Sequence, residues 1–292
     1  FTPFYNALLA KGPVPAPRLE TIPLKAQALK LESERLEDWQ FCPTSPNWAR
    51  NFTGTPGDAQ TALNDFKDMV ITYSSQRDRP DLDVTSRLSA HLHFGEISAR
   101  QVWHELLSIH DFEAIAPFLR QLVWRDFSYT LLKAKPDLAD ANWNAKFEAF
   151  PWTDGHPHLD AWKFGQTGFP IVDAAMRQLW KTGWMHNRLR MIVASFLTKN
   201  MGVHWKVGEK WFWDSLIDAD LANNAAGWQW VAGSGADAAP YFRIFNPVTQ
   251  GQKFDPHGVF IRAYVPELQS LPNSFIHTPW LADAKTLDTA KI

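Results

Sequence analysis

The densest group of residues that could do chemistry runs from Asp218 to Trp230. Two carboxylates, three amides and two indoles fall within this segment. Carboxylates accept hydrogen bonds and amides both accept and donate them, so the group could hold the polar edge of a flat heteroaromatic ring. A loop rich in caps and turns is the alternative interpretation, and the density of tryptophan makes it the weaker one.

A second group shares one face of an apolar helical segment. The face carries an amide, an indole, a guanidinium and a hydroxyl, at i, i+3, i+4 and i+7: Gln121, Trp124, Arg125 and Ser128. A buried guanidinium needs an anion. That anion could be a ligand phosphate or a neighbouring carboxylate, and the segment alone does not decide between them.

The segment from Trp184 to Met191 is predicted to be a helix with two distinct faces. An apolar stripe with helix spacing begins at Leu189 and faces the core. Asn187, Arg188 and Met191 share a different face, where an amide, a cation and a soft apolar side chain suit a flat ligand near a phosphate. A solvated face is the alternative, and Met191 and Trp184 argue against it.

Hydroxyl side chains surround Arg87 in the segment 85–89, where a helix is expected to begin after Asp83. A helix N-terminus offers free N–H groups and the positive end of the helix dipole, so this segment could cradle a phosphate. Plain N-capping with a solvated arginine is the favoured interpretation of the segment taken alone.

Several short motifs are discounted. Gly233–Ala238 fits G-x-G-x-x-A, but the dinucleotide fingerprint also needs a preceding buried strand and a βαβ unit. His-x-His pairs at 91/93 and 156/158 lack further ligands at metal-site spacing, so no metal is expected. Asn51 begins a glycosylation sequon, but nothing else indicates secretion.

The elements that must position these groups are predicted to be helices. Helices are expected after Thr55-Pro56-Gly57-Asp58, after the capping residue Ser98, and from Ile171 to Trp180 with Gly183 as the stop. Pro117 is expected to open another helix, Phe118–Leu132.

Few stretches alternate with period two, so the predicted fold class is all-α. Five prolines in the first 23 residues predict an extended linker there. We therefore expect a linker and lead-in segment over residues 1–54 and a helical domain over residues 55–292.

Composition limits the function classes. Of the 292 residues, 45% are hydrophobic and 21% charged, which is ordinary for a soluble globular protein. The net charge of -2 means that a nucleic-acid partner would need a local basic patch. The single cysteine, Cys42, favours a reducing compartment. No apolar run is long enough for a membrane span, and we expect a cytoplasmic monomer.

Taken together, the longer blocks resemble the photolyase/cryptochrome family. The blocks are Thr85–Ser89, Trp124–Phe127, Thr167–Arg177, Gly183–Arg188, Trp228–Trp230 and Ala239–Pro247. The resemblance implies that family's all-α domain with bound FAD, active in its reduced form. It also implies that the family's N-terminal α/β domain, with most of the antenna-chromophore site, is missing before Phe1. The usual C-terminal tail would be cut after Ile292.

The resemblance also implies where FAD would bind. The phosphate cradle would comprise Thr85, Ser86, Arg87, Leu88 and Ser89, with Tyr73 and Arg125 nearby. Asp218 and Asp220 would lie at the flavin ring, with Arg190 paired to Asp218. Asn224, matched by its spacing from Asp218, would face the reactive N5, and its neighbour Asn223 is the alternative.

Three tryptophans match the family's electron chain from the surface to the flavin. They are Trp228, Trp205 and Trp152. An indole is oxidisable, and closely spaced rings let an electron hop between them. Core packing is the alternative interpretation for each tryptophan taken singly, and the three matching positions favour the electron chain.

Further residues match the lesion pocket of family members that repair cyclobutane pyrimidine dimers in DNA. They are Gln121, Trp124, Asn187, Arg188, Met191 and Trp230, with Asn187 also placed near the cofactor. Arg77, Arg188 and Arg243 would hold DNA phosphates. The dimer would be flipped out of the duplex, as is general for this family.

The resemblance also bears on the subclass. Asn187 stands where (6-4) enzymes carry a second histidine, which favours the cyclobutane type. Gln121 stands where bacterial cyclobutane enzymes usually have glutamate. This departure keeps a blue-light receptor without repair turnover as the alternative.

Overall fold

The computed structural model describes residues 1–18, 32–39, 54–238 and 243–292. Cys42, the sequon at Asn51 and the part of the last sequence block over 239–242 lie outside the described residues. Within them the chain is helical and forms no β-strand, apart from one isolated bridge between Thr153 and Val203. The all-α fold class is therefore confirmed.

The α-helices of the described ranges are α1 Thr2–Ala10, α2 Pro56–Met69, α3 Tyr73–Gln76, α4 Ser89–Phe94, α5 Ala99–Leu107, α6 Phe112–Ala134, α7 Leu159–Lys163, α8 Pro170–Thr182, α9 Asn187–Ser195, α10 Trp205–Ser215, α11 Leu221–Ala232, α12 Pro247–Phe254, α13 Val259–Tyr264 and α14 Ala284–Ala290. A π-helical turn, Phe196–Asn200, continues α9. Short 3₁₀ segments lie at Leu36–Trp39, Val70–Thr72, Ala145–Ala149, Pro266–Leu268 and Pro279–Leu281.

Local capping explains several helix ends. Thr55 and Asp58 form a reciprocal capping box at the start of α2. The Ser98 side chain accepts the backbone N–H of Gln101 and starts α5. Gly183 ends α8 in the left-handed conformation, with φ of 68°. These three predictions are confirmed.

The start of the chain differs from the expected extended linker. Thr2–Ala10 is a helix, with Pro3 in its first turn, where a missing N–H is tolerated. The rings of Phe1 and Trp124 stack at a centroid distance of 3.7 Å. Burial of Phe1 and Tyr5 therefore organises this segment, and the expectation of an extended chain over residues 2–10 was wrong. The division of the chain at residue 54 stays a prediction.

Two helix starts also differ from expectation. α6 begins at Phe112, so Pro117 lies inside the helix instead of opening it. Ile115 and Phe118, on either side of Pro117, are buried. Their packing keeps the helix continuous although the proline has no N–H to donate. α4 begins only at Ser89, because Arg87 has a φ of 51° and interrupts the helical backbone.

The buried side chains form two hydrophobic cores. The first core gathers α1, α2, α4, α5 and the buried face of α6, and the second gathers α7 to α11, α13 and α14. The helix α11 packs against α6, α9 and α10. Since α6 belongs to the first core and the buried face of α11 to the second, this contact brings the two cores together.

Candidate functional site

A cavity of about 440 Å³ lies at the meeting of α6, α9 and α11. Twelve of the residues predicted from the sequence line it: Arg77, Gln121, Trp124, Asn187, Arg188, Arg190, Met191, Asp218, Asp220, Asn224, Trp228 and Trp230. Most of them are expected at a flavin edge or a lesion pocket, with Trp228 in the electron chain and Arg77 at a DNA phosphate. The structure places both groups on the wall of one cavity.

Asp218 is a buried carboxylate whose charge is matched within the protein. Arg190 Nη2 donates to its two oxygens at 2.8 and 3.0 Å, and Arg190 Nε donates to the Met185 carbonyl at 2.8 Å. Ser89 Oγ donates to the same carboxylate at 2.5 Å. The expected pairing of Arg190 with Asp218 is present, and it fixes an acceptor group on the cavity wall.

Asp220 caps α11 and also faces the cavity. Its carboxylate accepts from the backbone N–H of Asn223 at 2.8 Å, from the Tyr129 hydroxyl, and lies 3.4 Å from His93 Nδ1. Burial alone would raise the pKa of Asp220, but the hydrogen bonds outweigh burial and hold the pKa below its usual value. Asp220 is therefore ionised near neutral pH.

The two neighbouring asparagines have different partners. Asn223 Nδ2 donates to Asp220 Oδ1 at 2.6 Å, so this side chain belongs to the cap. Asn224 Nδ2 donates to the carboxylate and the backbone carbonyl of Glu209, at 2.9 and 3.0 Å. Its amide nitrogen is thus held by protein, and its carbonyl oxygen is left for a ligand. Asn223 also lines the cavity, so the choice of Asn224 over Asn223 as the ring contact stays a prediction.

The three predicted electron-chain tryptophans differ in their exposure and in their contact with the cavity. Trp228 lines the cavity and is buried, Trp205 is fully buried, and Trp152 is partly exposed. The His204 ring lies 5.4 Å from the Trp152 ring and 5.5 Å from the Trp205 ring, between centroids. Burial lowers the pKa of His204, so a neutral imidazole joins these two indoles.

A close approach brings the first two indoles into the same core. Gly208 lies one turn after Trp205 on α10. A Cβ at Gly208 would lie 2.2 Å from Cη2 of Trp228. Only a glycine therefore lets α10 and α11 approach this closely at Trp228.

Arg188, which is expected to hold a DNA phosphate, already has an ion-pair partner within the protein. Its Nη2 donates to Asp78 Oδ2 at 2.7 Å, and its guanidinium lies 4.5 Å from the Phe254 ring centroid. Its charge is already matched by the protein. Arg77 also lines the cavity, whereas Arg243 is exposed away from it and its carbonyl accepts from Lys199.

The remaining predicted site residues do not line the cavity: Tyr73, Thr85, Ser86, Arg87, Leu88, Ser89, Arg125, Trp152, Trp205 and Arg243. Tyr73 packs edge-on against Phe66 and Phe118. Arg125 donates to the Leu92 carbonyl at 3.3 Å and lies over the Tyr129 ring. Arg125 is four positions after Gln121, which turns it about 40° away from Gln121 around the helix. Its expected cofactor contact stays a prediction.

Three polar neighbours of the site were missed by the sequence analysis: Tyr129, His93 and Glu209. Tyr129 and His93 are more than 90 residues from Asp220 in the chain. Tyr129 has the sequence environment of an ordinary helix surface residue. Helix periodicity could have found Glu209 on the same segment as Trp205, but it gives no sign that Asn224 is its partner.

Over the described ranges, no group of three or more histidine, cysteine, aspartate or glutamate side chains is arranged to hold a metal ion. None of the helices in those ranges combines the length and apolarity needed to cross a membrane.

Comparison with known proteins agrees with the geometry. A family model described as the FAD binding domain of DNA photolyase matches residues 118–292, more than half of the chain. Two similar curated proteins are named deoxyribodipyrimidine photo-lyase. The one from Agrobacterium fabrum is 48% identical over 100% of this chain and 63% of its own length. The one from Vibrio cholerae is 43% identical over 96% of this chain and 61% of its own length.

Solved structures show the same similarity. A bacterial class III photolyase from Agrobacterium tumefaciens has a TM-score of 0.93 and 47% identity, covering 100% of this chain and 62% of that chain. A cryptochrome from Synechocystis has a TM-score of 0.77 and 34% identity, covering 82% of this chain and 51% of that chain. The chain thus spans about 60% of the length of the curated relatives described above.

Proposed function

Because the chain belongs to the DNA photolyase family, whose FAD-binding domain it carries, we propose that it catalyses light-driven repair of cyclobutane pyrimidine dimers in DNA. The observation that carries this proposal is the shared cavity. Its wall joins Asp218, Asp220 and Asn224, suited to a flavin edge, with Trp124 and Trp230, suited to a fused pair of pyrimidines.

The residues present fit the ring system of FAD. Asp218 and Asp220 are buried acceptors for ring N–H groups, and Arg190 balances the charge of Asp218. The indole nitrogen of Trp228 is buried with no acceptor from the described residues, on a side chain that lines the cavity. Such a wall suits a flat ligand with a polar edge. On the resemblance, residues 85–89 with Tyr73 and Arg125 would hold the phosphates.

When bound and reduced, FAD supplies the light-excited one-electron donor that opens the cyclobutane ring. The other tasks fall to the chain. Trp124 and Trp230 cover the flipped-out lesion with apolar surface, and Gln121 and Asn187 offer amides to its polar edge. Trp228, Trp205 and Trp152 lead from the cavity wall to the surface and renew the reduced state.

Gln121 favours one second candidate, a blue-light receptor that binds FAD without repair turnover. It lines the cavity, and its Nε2 donates to the Pro117 carbonyl at 3.2 Å. A neutral amide gives the lesion a hydrogen bond but no negative charge. The receptor candidate therefore rests on the missing carboxylate at this one position.

The deciding experiment uses the chain loaded with FAD and chemically reduced. A thymine-dimer oligonucleotide is added, and the pyrimidine absorbance is followed under blue light and in the dark. Return of absorbance only in the light supports repair. Stable FAD binding without repair favours the receptor, and Gln121→Glu is then the variant to test for restored turnover. A chain that does not retain FAD contradicts both candidates.

A further inference from the structure

The indole N–H groups of the three electron-chain tryptophans have different acceptors. The buried Nε1 of Trp228 has no acceptor from the described residues. Trp205 Nε1 donates to Asn142 Oδ1 at 2.8 Å inside the core, and Trp152 Nε1 donates to the Phe147 carbonyl at 3.2 Å near the surface. The middle tryptophan is thus the one with a buried side-chain acceptor.

Asn142 is itself held in one orientation. It is 1% exposed, and both its backbone N–H and its Nδ2 donate to Glu148 Oε1, at 3.0 and 2.9 Å. Because the carboxylate accepts only, the amide nitrogen must face Glu148 and the amide oxygen must face Trp205. Glu148 therefore decides which end of Asn142 meets the indole.

The backbone around Asn142 is also fixed. Gln229, between Trp228 and Trp230 on α11, donates to the carbonyls of Leu138 and Ala141 at 2.7 and 3.1 Å. Its side-chain oxygen accepts the backbone N–H of Trp143 at 2.7 Å. Gln229 is fully buried, so these bonds tie the loop to α11 on both sides of Asn142.

We infer that Asn142, oriented by Glu148, is a positioning residue that makes Trp205 easier to oxidise than Trp228 and so directs electrons toward the cavity. This inference rests on the proposed function, which makes the excited oxidised flavin the electron acceptor. An acceptor at the indole N–H stabilises the positive charge that oxidation creates, more strongly in a buried environment than in water. The Glu148 carboxylate adds its negative charge through the polarised amide.

The step is an electron transfer between two side chains. Oxidised Trp228 gains one electron and becomes neutral, and Trp205 loses that electron and becomes a radical cation. The proton stays on Nε1 of Trp205, because an amide oxygen is too weak a base to take it. The positive charge is then free to move on toward Trp152 when that ring supplies the next electron.

The first test examines the hydrogen bond without bound flavin. In the chain labelled with ¹⁵N at tryptophan, the Trp205 indole resonance is identified by its loss in Trp205→Phe. We expect Glu148→Ala to shift this resonance upfield and to speed exchange of its proton at least tenfold. Glu148 is exposed, so the substitution removes no core packing. Asp160→Ala, which removes an exposed carboxylate that pairs with Lys163 at 3.3 Å, is the matched control and leaves the resonance in place.

The second test measures the rate of flavin photoreduction in the loaded chain, with an external electron donor. We expect Glu148→Ala to slow it about tenfold, which corresponds to about 1.4 kcal/mol in the barrier, and Asp160→Ala to leave it unchanged. Glu148→Gln keeps an acceptor for Asn142 and should recover part of the rate. Repair by chemically reduced Glu148→Ala should match that of the unsubstituted chain.

The outcomes separate the inference from the proposed function. Photoreduction in Glu148→Ala at the rate of the unsubstituted chain, despite a shifted Trp205 resonance, would overturn the inference. So would the absence of photoreduction in the unsubstituted chain, since no electron chain would then exist to direct. Loss of light-dependent repair in the chemically reduced, unsubstituted chain would instead overturn the proposed function.

Discussion

Asp218 and Asp220 lie two residues apart, both buried, and each has its own set of donors. Arg190 matches the charge of Asp218, whereas neutral donors and one histidine surround Asp220. A carboxylate bonded to a guanidinium at two oxygens keeps a fixed orientation. Asp218 is therefore the more rigid of the two acceptors on the cavity wall.

Asp218→Asn tests this acceptor. The substitution leaves the Arg190 guanidinium without its carboxylate, which is costly for a partly buried charge. We expect FAD affinity to fall at least tenfold, or about 1.4 kcal/mol, when measured by quenching of flavin fluorescence. Asp160→Asn removes a carboxylate from the exposed pair with Lys163 and should leave affinity unchanged. Equal affinities in the two variants would show that Asp218 does not contact the cofactor.

His186 gives the folded chain a defined response to acid. Burial lowers the pKa of His186 from its usual 6.5 to about 4, and the Asp78 carboxylate offsets only part of this effect. The unfolded chain therefore binds a proton at a higher pH than the folded chain does. The contribution of neutral His186 to the free energy of unfolding is fully present above pH 6.5 and is lost as the pH falls toward 4.

When the pH is lowered from 7 to 5, we expect the titration of His186 to lower the free energy of unfolding by about 2 kcal/mol, measured by urea denaturation. His186→Asn is the comparison variant, because asparagine can also cap α9, where His186 Nδ1 accepts the Arg188 N–H at 3.2 Å. The pH-dependent loss should shrink by that amount in the variant. An unchanged loss would mean that other groups dominate.

Among the helices, α10 and α11 can approach each other closely because Gly208 has no side chain. A Cβ at Gly208 would lie 2.2 Å from Trp228 Cη2 and 2.6 Å from Leu197 Cδ2, in a core without room to yield. A Cβ at Gly227, in the interior of α11, would meet nothing within 4 Å. The two glycines therefore differ in role although both lie within helices.

Alanine at each glycine should shift stability in opposite directions in the protein without FAD. Gly208→Ala should lower the free energy of unfolding by about 1–3 kcal/mol, because the helices must separate. Gly227→Ala should raise it by up to about 1 kcal/mol, because alanine is the better helix former. Chemical denaturation of both variants gives the comparison. A neutral Gly208→Ala would mean that the Trp228 ring can move aside.

Elements with local signals could be predicted, and those that depend on distant burial could not. Thr55, Ser98 and Gly183 act through backbone groups within a few residues, so their sequence positions sufficed. The helix at Thr2–Ala10 depends on contacts such as that of Phe1 with Trp124, which no local pattern encodes. Proline at position 117 was misleading for the same reason, since burial on both sides of it sustains the helix.

The candidate site shows the same division. Residue types and helix spacing placed Gln121 with Trp124 and Asn187 with Met191, the family resemblance joined the two pairs, and all four line the cavity. The spacing could not show that Asp78 already neutralises Arg188, because that pair joins residues 110 positions apart. Side-chain chemistry is therefore predictable from the sequence, whereas the charge left over for a ligand is set by tertiary contacts.

For the whole molecule, the cavity joins the two hydrophobic cores. Its wall takes Trp124 and Phe127 from α6, which pack against the first core. It takes Trp228 and Phe212 from the second core. A ligand that fills it contacts both cores at once, and binding then stabilises their association as well as each part.

We expect FAD to stabilise the whole chain cooperatively. At a free concentration about 100-fold above its Kd, FAD should add about 2.7 kcal/mol to the free energy of unfolding. The unfolding transition followed by far-UV circular dichroism and the one followed by tryptophan fluorescence should coincide more closely when FAD is present than when it is absent. Asp218→Asn should show little of either effect. Stabilisation with two separate transitions would mean that FAD contacts one core alone.

The placement of Trp228 and Trp230 on α11 has an evolutionary consequence. Two residues apart, they point about 200° apart around the helix axis. Trp228 packs with Phe212 in the core, and Trp230 faces Phe245. On the proposed function, one helix would carry the supply of electrons through Trp228 and the handling of DNA through Trp230. A lineage could lose either ability by drift on one face while selection preserved the other, so receptors and repair enzymes can diverge from one ancestral helix.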